Sequence, residues 1–194
     1  MSVTATTPTE GRAPARERLL AAADELFYAE GVQSVGIDRI IEHAGVAKAS
    51  LYNLFGSKEA LISAYLESRH RSALERLKVA VGRHRDPRKR LLAVFEAQGE
   101  IFAEPGFRGC AIVTATAEVA DGSVIDKAAE EYRAEMLALL TDLARDAGVT
   151  KPERLARQLH LIYDGAGVAA RMDRDPSIAR CARAAAEVLL DASL

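Results

Sequence analysis

The sequence is short of the residues on which several common protein classes depend. Its 194 residues include no tryptophan and only two cysteines, Cys110 and Cys181. Two cysteines outside any CxxC or metal-ligand spacing exclude a disulfide-stabilised scaffold and give no sign of a metal site. No apolar run approaches the ~20 residues that a membrane-spanning helix needs. Residues 1–11 have neither the basic start nor the apolar stretch of a secretory signal, so we expect a cytoplasmic protein without a membrane partner.

An excess of either charge is also missing. The 26 Lys and Arg residues are balanced by 28 Asp and Glu residues, which leaves a net charge of −2. A chain with this charge is not drawn to nucleic acid as a whole, so any contact with DNA must come from a few well-placed residues. With 49% hydrophobic and 28% charged residues, the composition is that of a folded globular protein.

Motifs of catalysis and cofactor binding are absent as well. The sequence contains no GxSxG, HExxH or P-loop motif and offers no pairing of a nucleophile with a base. Residues Gly165–Ala170 match the dinucleotide fingerprint GxGxxA, but too few residues follow them to complete a βαβ unit. We therefore expect no enzymatic activity, no cofactor and no metal. The competing class is a helical catalytic domain fused to a DNA-binding domain.

What the sequence does have is helical periodicity along nearly its whole length. Apolar residues recur three and four positions apart, and no stretch alternates with the period of a strand. Capping residues, prolines and glycines divide the chain into about nine helices, the eighth of them starting at a capping box, Thr150–Glu153. The predicted helices are Pro14–Glu30, Ile37–Ala44, Ala47–Phe55, Lys58–Val81, Pro87–Ala103, Cys110–Val119, Ser123–Asp146, Thr150–Met172 and Ser177–Leu190. The predicted fold class is all-α.

The segment Ile37–Phe55 has the pattern of a helix-turn-helix. Two helices of about eight residues flank a turn that contains Gly45, and the second helix of such a motif enters the major groove of DNA. Ala47, Leu51, Leu54 and Phe55 are spaced to form one buried face. The opposite face then presents small and polar side chains that suit contacts with base edges and phosphates: Lys48, Ala49, Ser50, Tyr52 and Asn53.

The stretch Gly45–Leu61, GVAKASLYNLFGSKEAL, closely resembles the signature of the TetR/AcrR family of bacterial transcriptional regulators. Leu26-Phe27, Gly31 and Ile37 agree with the same pattern upstream, and the resemblance covers residues 13–72. It implies a homodimeric repressor whose N-terminal three-helix domain reads a palindromic operator in double-stranded DNA. Carried over by position, the DNA contacts fall at Gly36, Lys48, Ala49, Ser50, Tyr52, Asn53 and Lys58. Two departures, Gly36 for Ser or Thr and Leu54 for His or an aromatic residue, remove expected phosphate contacts.

The expected domain organisation follows from this resemblance. Residues 1–12 form a disordered tail, and residues 13–72 form the helix-turn-helix domain, with its motif at about residues 36–55. Residues 73–194 form a helical domain for dimerisation and for binding a small-molecule effector. The long helix that starts at Lys58 is shared by both domains, and a phosphate at its first turn would be bound by backbone N–H groups and the lysine.

Polar residues among apolar ones mark a candidate effector site in the C-terminal domain. No cluster of Arg or Lys accompanies them, so we expect a largely apolar ligand that is neutral or cationic. The candidate effector residues are Phe95, Gln98, Phe102, Thr114, Tyr132, Tyr163 and Asp164. Small residues on the last two helices predict the dimer interface. The candidate interface residues are His160, Gly167, Ala170, Ile178, Cys181, Ala185 and Val188.

Two alternatives to a ligand-released repressor stay open at this point. The regulator could sense thiol oxidation through Cys110 or Cys181, which lie in different predicted helices. It could also be a DNA-binding activator without a ligand, in which the Ala-rich C-terminal helices serve dimerisation alone.

Overall fold

The chain folds as helices joined by short turns. The structure, a computed structural model, describes residues 13–118 and 123–194, and within these ranges it contains helices and no strand. The described helices are α1 (Ala15–Glu30), α2 (Ile37–Ala44), α3 (Lys48–Phe55), α4 (Lys58–Gly82), α5 (Pro87–Phe102), α6 (Ala111–Thr116), α7 (Val124–Asp146), α8 (Pro152–Asp173) and α9 (Ile178–Asp191). The all-α prediction is confirmed. The predicted tail, residues 1–12, and Val119 at the predicted end of the sixth helix lie outside the described residues.

The helix starts follow the capping signals with one exception. Ser57 Oγ accepts the N–H of Ala60 at 3.1 Å, and Asp86 caps α5 in the same way. Ser123 and Asp126 form a reciprocal capping box at the start of α7. The capping box predicted at Thr150 is wrong, because Lys151 occupies the N-cap of α8 and makes no side-chain capping bond. Among the described helices, none combines the length and apolar character that crossing a membrane requires.

The first three helices and the start of α4 enclose one apolar cluster. α1 packs against α2, α3 and α4. The buried side chains of this cluster are Leu19, Ala23, Leu26, Phe27, Ile40, Leu51, Leu61, Ile62 and Tyr65. Burial of apolar surface contributes roughly 25 cal/mol per Å², and this contribution holds these helices together.

Arg18 connects α1 to the turn between α2 and α3. Its Nη1 donates to the carbonyl oxygens of Ala44 and Gly45, each at 2.9 Å. These carbonyls belong to the end of α2, where backbone acceptors lack helical partners and carry partial negative charge. The guanidinium therefore satisfies the end of α2 and fixes the helix-turn-helix against α1.

α4 also packs with α5, α6 and α7, and α8 and α9 complete the bundle. Cations in the stretch Arg69–Arg90 pair with carboxylates from other parts of the chain. The pairs are Arg69–Asp24, Arg76–Glu104, Arg83–Glu100, Arg88–Glu187, Arg88–Asp191 and Arg90–Asp146. Much of the most basic stretch of the sequence is thus used within the subunit.

We expect Arg18→Ala to lower the free energy of unfolding by roughly 1.5–3 kcal/mol, because two charge-assisted bonds to carbonyls at the end of α2 are lost, one of them part-buried. Urea unfolding followed by circular dichroism measures the change. Arg16→Ala is the matched control, since it removes a guanidinium from over the exposed side of the Phe55 ring, 5.3 Å from its centroid, and should cost only about 0.5 kcal/mol. Equal losses in the two variants would contradict the role given to Arg18.

Candidate nucleic-acid interface and ligand cavity

The second helix of the motif, α3, presents a continuous exposed face. Tyr52 is 45% exposed, and Asn53 and Ala49 are exposed beside it, with Ser50 half-buried at the edge. This arrangement brings the predicted DNA-contacting residues of α3 together on one surface. The predicted buried face is only partly correct. Leu51 alone is buried, while Ala47 and Leu54 are exposed, because α3 has two turns and packs through its centre.

Two lysines flank this face, and both are held by neighbours. Lys48 Nζ lies 2.8 Å from Asp38 Oδ1 in the first turn of α2, and this bond raises the pKa of the lysine. Lys58 Nζ lies 3.5 Å from the carbonyl oxygen of Gln33. The ammonium groups of both lysines are therefore bonded to other groups of the protein.

Gly36, the remaining candidate DNA contact, is exposed and is the N-cap of α2. Its backbone is extended, with φ −81° and ψ 155°, and no atom lies within 4 Å of where a Cβ would stand. Neither the backbone nor the surroundings require glycine here. The glycine leaves α2 without a side-chain cap, as the sequence predicted.

A cavity of about 630 Å³, called here the large cavity, lies among α4, α5, α6, α7 and α8. Six of the seven candidate effector residues line it: Gln98, Phe102, Thr114, Tyr132, Tyr163 and Asp164. Phe95 does not, because its fully buried ring packs edge-on against Tyr163, with the centroids 6.2 Å apart. The structure thus brings together polar and aromatic groups that are up to 66 positions apart in the sequence.

Several polar groups in the wall of the large cavity are unusual for a protein interior. Gln98 Nε2 donates to the carbonyl of Tyr163 at 2.7 Å, which leaves Oε1 buried and without a donor among the described residues. Burial raises the pKa of the Tyr132 and Tyr163 phenols, so both remain protonated. Burial likewise raises the pKa of the Cys110 thiol. The wall therefore offers neutral hydrogen-bonding groups in an apolar enclosure.

The large cavity also contains cations that the sequence analysis missed. Arg69 and Arg76 of α4 and Arg171 of α8 contribute to its wall. No local pattern could have associated them, because they come from helices almost 100 residues apart. The sequence-based expectation that no cluster of Arg or Lys accompanies the candidate site is wrong.

The chain around α1 is joined to the segments that flank α6 at two points. The Tyr28 hydroxyl donates to the carbonyl of Gly109 at 3.0 Å and accepts the N–H of Arg108 at 2.8 Å. After α6, Glu118 Oε2 accepts the N–H of Gln33 at 3.0 Å. We call these two contacts, made by Tyr28 and by Glu118, the α1–α6 ties. A second cavity of about 170 Å³ lies between the end of α1 and α6.

The outer surface of α8 and α9 carries an exposed apolar face. Of the candidate interface residues, Cys181, Ala185 and Val188 are exposed, Gly167 and Ile178 are half-buried, and His160 and Ala170 are buried within the subunit. His160 lies 3.4 Å from Asp164, and burial lowers the pKa of its imidazole. The sequence analysis missed Leu161, Val168 and Met172, whose spacing of seven and four places them on one side of α8.

Comparison with known proteins gives one consistent result. A family model described as "Bacterial regulatory proteins, tetR family" matches residues 19–65. The HTH-type transcriptional repressor NemR of Escherichia coli is 31% identical over 172 residues, covering 82% of this chain and 85% of NemR. The HTH-type transcriptional activator FasR of Mycolicibacterium smegmatis is 31% identical over 134 residues, covering 69% of this chain and 61% of FasR. The crystal structure of a TetR-family regulator from Streptomyces coelicolor matches with a TM-score of 0.87 and 34% identity, covering 92% and 95% of the two chains.

The raised pKa of Cys110 predicts that its thiol reacts slowly with disulfide reagents. In a Cys181→Ser variant, we expect Cys110 of the folded protein to react with an aromatic disulfide reagent at neutral pH at least ~10-fold more slowly than in concentrated guanidinium chloride. The folded-state rate should rise with pH past the point where an ordinary cysteine is fully ionised, because a raised pKa delays formation of the thiolate. Stopped-flow absorbance measures both rates. A folded-state rate equal to the unfolded one would contradict the burial of this thiol.

Proposed function

Because the chain belongs to the TetR family and is a DNA-binding transcriptional regulator, we propose that it is a homodimeric repressor released from its operator by a small organic ligand. The DNA-contacting residues would be Gly36, Lys48, Ala49, Ser50, Tyr52, Asn53 and Lys58. The observation that carries this proposal is the large cavity, whose wall is bonded directly to a helix of the helix-turn-helix unit through Tyr28. Repression is supported by the similarity to NemR, which is named a repressor.

We further propose a DNA-binding domain at residues 13–72 and a ligand-binding and dimerisation domain at residues 73–194. The packing of α4 supports this division, since α4 packs against α1 of the first domain and against α5, α6 and α7 of the second. The α1–α6 ties then join the two domains beside the cavity. A ligand that displaces α6 or tilts α4 would move α1 and, through Arg18, the turn before α3. Coupling of 1–3 kcal/mol would lower operator affinity about 5- to 150-fold.

The dimer is proposed to form through the outer surfaces of α8 and α9. Leu161 of α8 is 70% exposed and Val188 of α9 is 67% exposed, and exposed apolar residues that form one patch mark an interaction surface. Cys181, Ala185 and Val188 of α9 continue the same surface with small side chains. A second copy of the chain would bury this face and hold two recognition helices about one turn of DNA, roughly 34 Å, apart.

Transcriptional activation is a second candidate function, because the similar regulator FasR is named an activator. A reporter gene placed downstream of the operator distinguishes the two, since a repressor lowers expression and an activator raises it. Thiol sensing receives less support. The raised pKa of Cys110 disfavours the reactive thiolate, and Cys181 would be covered in the proposed dimer.

Selection of binding fragments from a random DNA library with the full chain tests the DNA-binding proposal and yields the operator. On that operator, we expect Asn53→Ala to relax preference at one base position by roughly 1–3 kcal/mol, because a direct base contact is lost. Lys58→Ala should weaken all sequences about equally, because phosphate contacts carry no sequence information. Wild-type affinity should fall about 10³-fold or more between roughly 50 and 200 mM salt if about six phosphates are contacted.

The matched control for these variants is Lys127→Ala, an exposed lysine on α7 away from the proposed interface. It should leave the operator affinity and its salt dependence unchanged. An operator bound equally well by wild type and a Tyr52→Ala, Lys58→Ala double variant would contradict the assignment of this surface.

We expect Leu161→Glu to convert the dimer into monomers at micromolar concentration, because two buried carboxylates would face each other across the interface. Light scattering coupled to gel filtration measures the mass. Leu194→Glu is the control, since Leu194 is also exposed but lies beyond the end of α9. A monomeric wild type would contradict the proposed dimer directly.

A further inference from the structure

The large cavity concentrates the aromatic residues of a chain that has few of them. Two of the five phenylalanines and three of the five tyrosines line it. Two of the three methionines, Met136 and Met172, lie in the same wall. Aromatic faces and thioethers pack well against planar rings, and about 630 Å³ is within the range of organic-ligand sites. The wall therefore suits a ligand with two or three fused rings.

Most ionisable side chains of this wall are paired with a neighbour of the opposite type. The paired residues are Arg69 with Asp24 at 2.5 Å, Arg76 with Glu104, His70 with Glu135 at 3.1 Å, and Asp164 with Arg133 at 3.2 Å. Arg171 differs, because no carboxylate within residues 13–118 and 123–194 lies within 4 Å of its guanidinium nitrogens. Among the described residues, Arg171 is therefore the cation of the wall that can form an ion pair with a bound ligand.

Arg171 is held in position by two contacts. Its Nη1 donates to Thr114 Oγ1 at 3.1 Å, and this oxygen retains its own hydroxyl proton for another acceptor. Its aliphatic stem crosses Gly109, where an added Cβ would lie 3.1 Å from Cδ and where φ is +94°. Because the stem is already packed, binding an anion would cost little additional side-chain entropy.

We propose that the ligand of the large cavity is an aromatic carboxylate, with its carboxylate on Arg171 and the Thr114 hydroxyl and its rings against Phe102, Phe107 and Tyr132. Its role as an effector rests on the proposed function above. The guanidinium matches a carboxylate with two parallel hydrogen bonds. Asp164 stands seven residues earlier on α8, about 10 Å along the axis, so the ligand's charge lies away from that carboxylate. This replaces the neutral or cationic ligand expected from the sequence.

The test uses two probes of the same shape, 2-naphthoate and 2-naphthamide, titrated calorimetrically into the full chain. We expect the wild type to bind 2-naphthoate about 10-fold or more tightly than 2-naphthamide, and added salt to reduce the difference. Arg171→Gln should remove this preference while leaving the affinity for 2-naphthamide unchanged, which also shows that the variant is folded. Arg171→Lys should restore part of the preference, because it restores the charge without the two-pronged geometry.

The matched control is Arg174→Gln, which removes the same charge three residues later, at a position outside the cavity wall. It should keep the wild-type preference. Equal affinity for the two probes, absence of 2-naphthoate binding at millimolar concentration, or an Arg171→Gln variant that weakens both probes equally would each overturn the proposal. If 2-naphthoate binds through Arg171 and leaves operator affinity unchanged, the ligand class stands and the effector role is contradicted.

Discussion

The structure depends on one helix that contributes an apolar group near each of its ends to the core. α4 buries Leu61, Ile62, Tyr65 and Leu66 near its start and Leu74, Leu77, Ala80 and Val81 near its end. Between these groups its surface is polar. Arg69 bonds Asp24 of α1, and the next residue, His70, contacts Glu135 of α7. The midpoint of α4 is therefore bonded in two directions, and any change in its tilt affects both ends of the subunit.

The sequence predicted the helix-turn-helix and the exposed polar face of α3 well because their signals are local. Gly45, the polar run after it and the Ser57 cap all lie within 13 consecutive positions, so helical periodicity alone fixes which residues share a face. The interpretation failed where tertiary packing decides. Leu54 was expected in the core, yet it is exposed beside Tyr52, because a helix of two turns cannot bury both of its ends. Arg18 was not recognised because its acceptors are backbone carbonyls, which leave no pattern in the sequence.

The ligand side was predicted by residue type and not by arrangement. Polar residues set among apolar ones identified six residues of the cavity wall, since an apolar helix rarely tolerates Gln98 or Thr114 without a reason. The sequence could not distinguish Phe95 from the residues of the wall. A residue that packs behind Tyr163 and a residue that lines the cavity recur at the same spacing along a helix. On α8, the residues assigned to the dimer interface include His160 and Ala170, which lie on an inward face and are buried within the subunit. His160 lies on that inward face, where it packs against Tyr132 and not against a second subunit.

The α1–α6 ties have a consequence for how such a sequence can vary. In each tie a side chain on one element meets only backbone groups on the other: Tyr28 meets the backbone of Arg108 and Gly109, and Glu118 meets the N–H of Gln33. A backbone group survives substitution of the residue that carries it, as long as the local conformation is kept. Residues 33 and 108 can therefore be substituted without loss of the ties, provided that Tyr28 and Glu118 are kept. The surfaces on which residues 33 and 108 lie are then free to change in sequence.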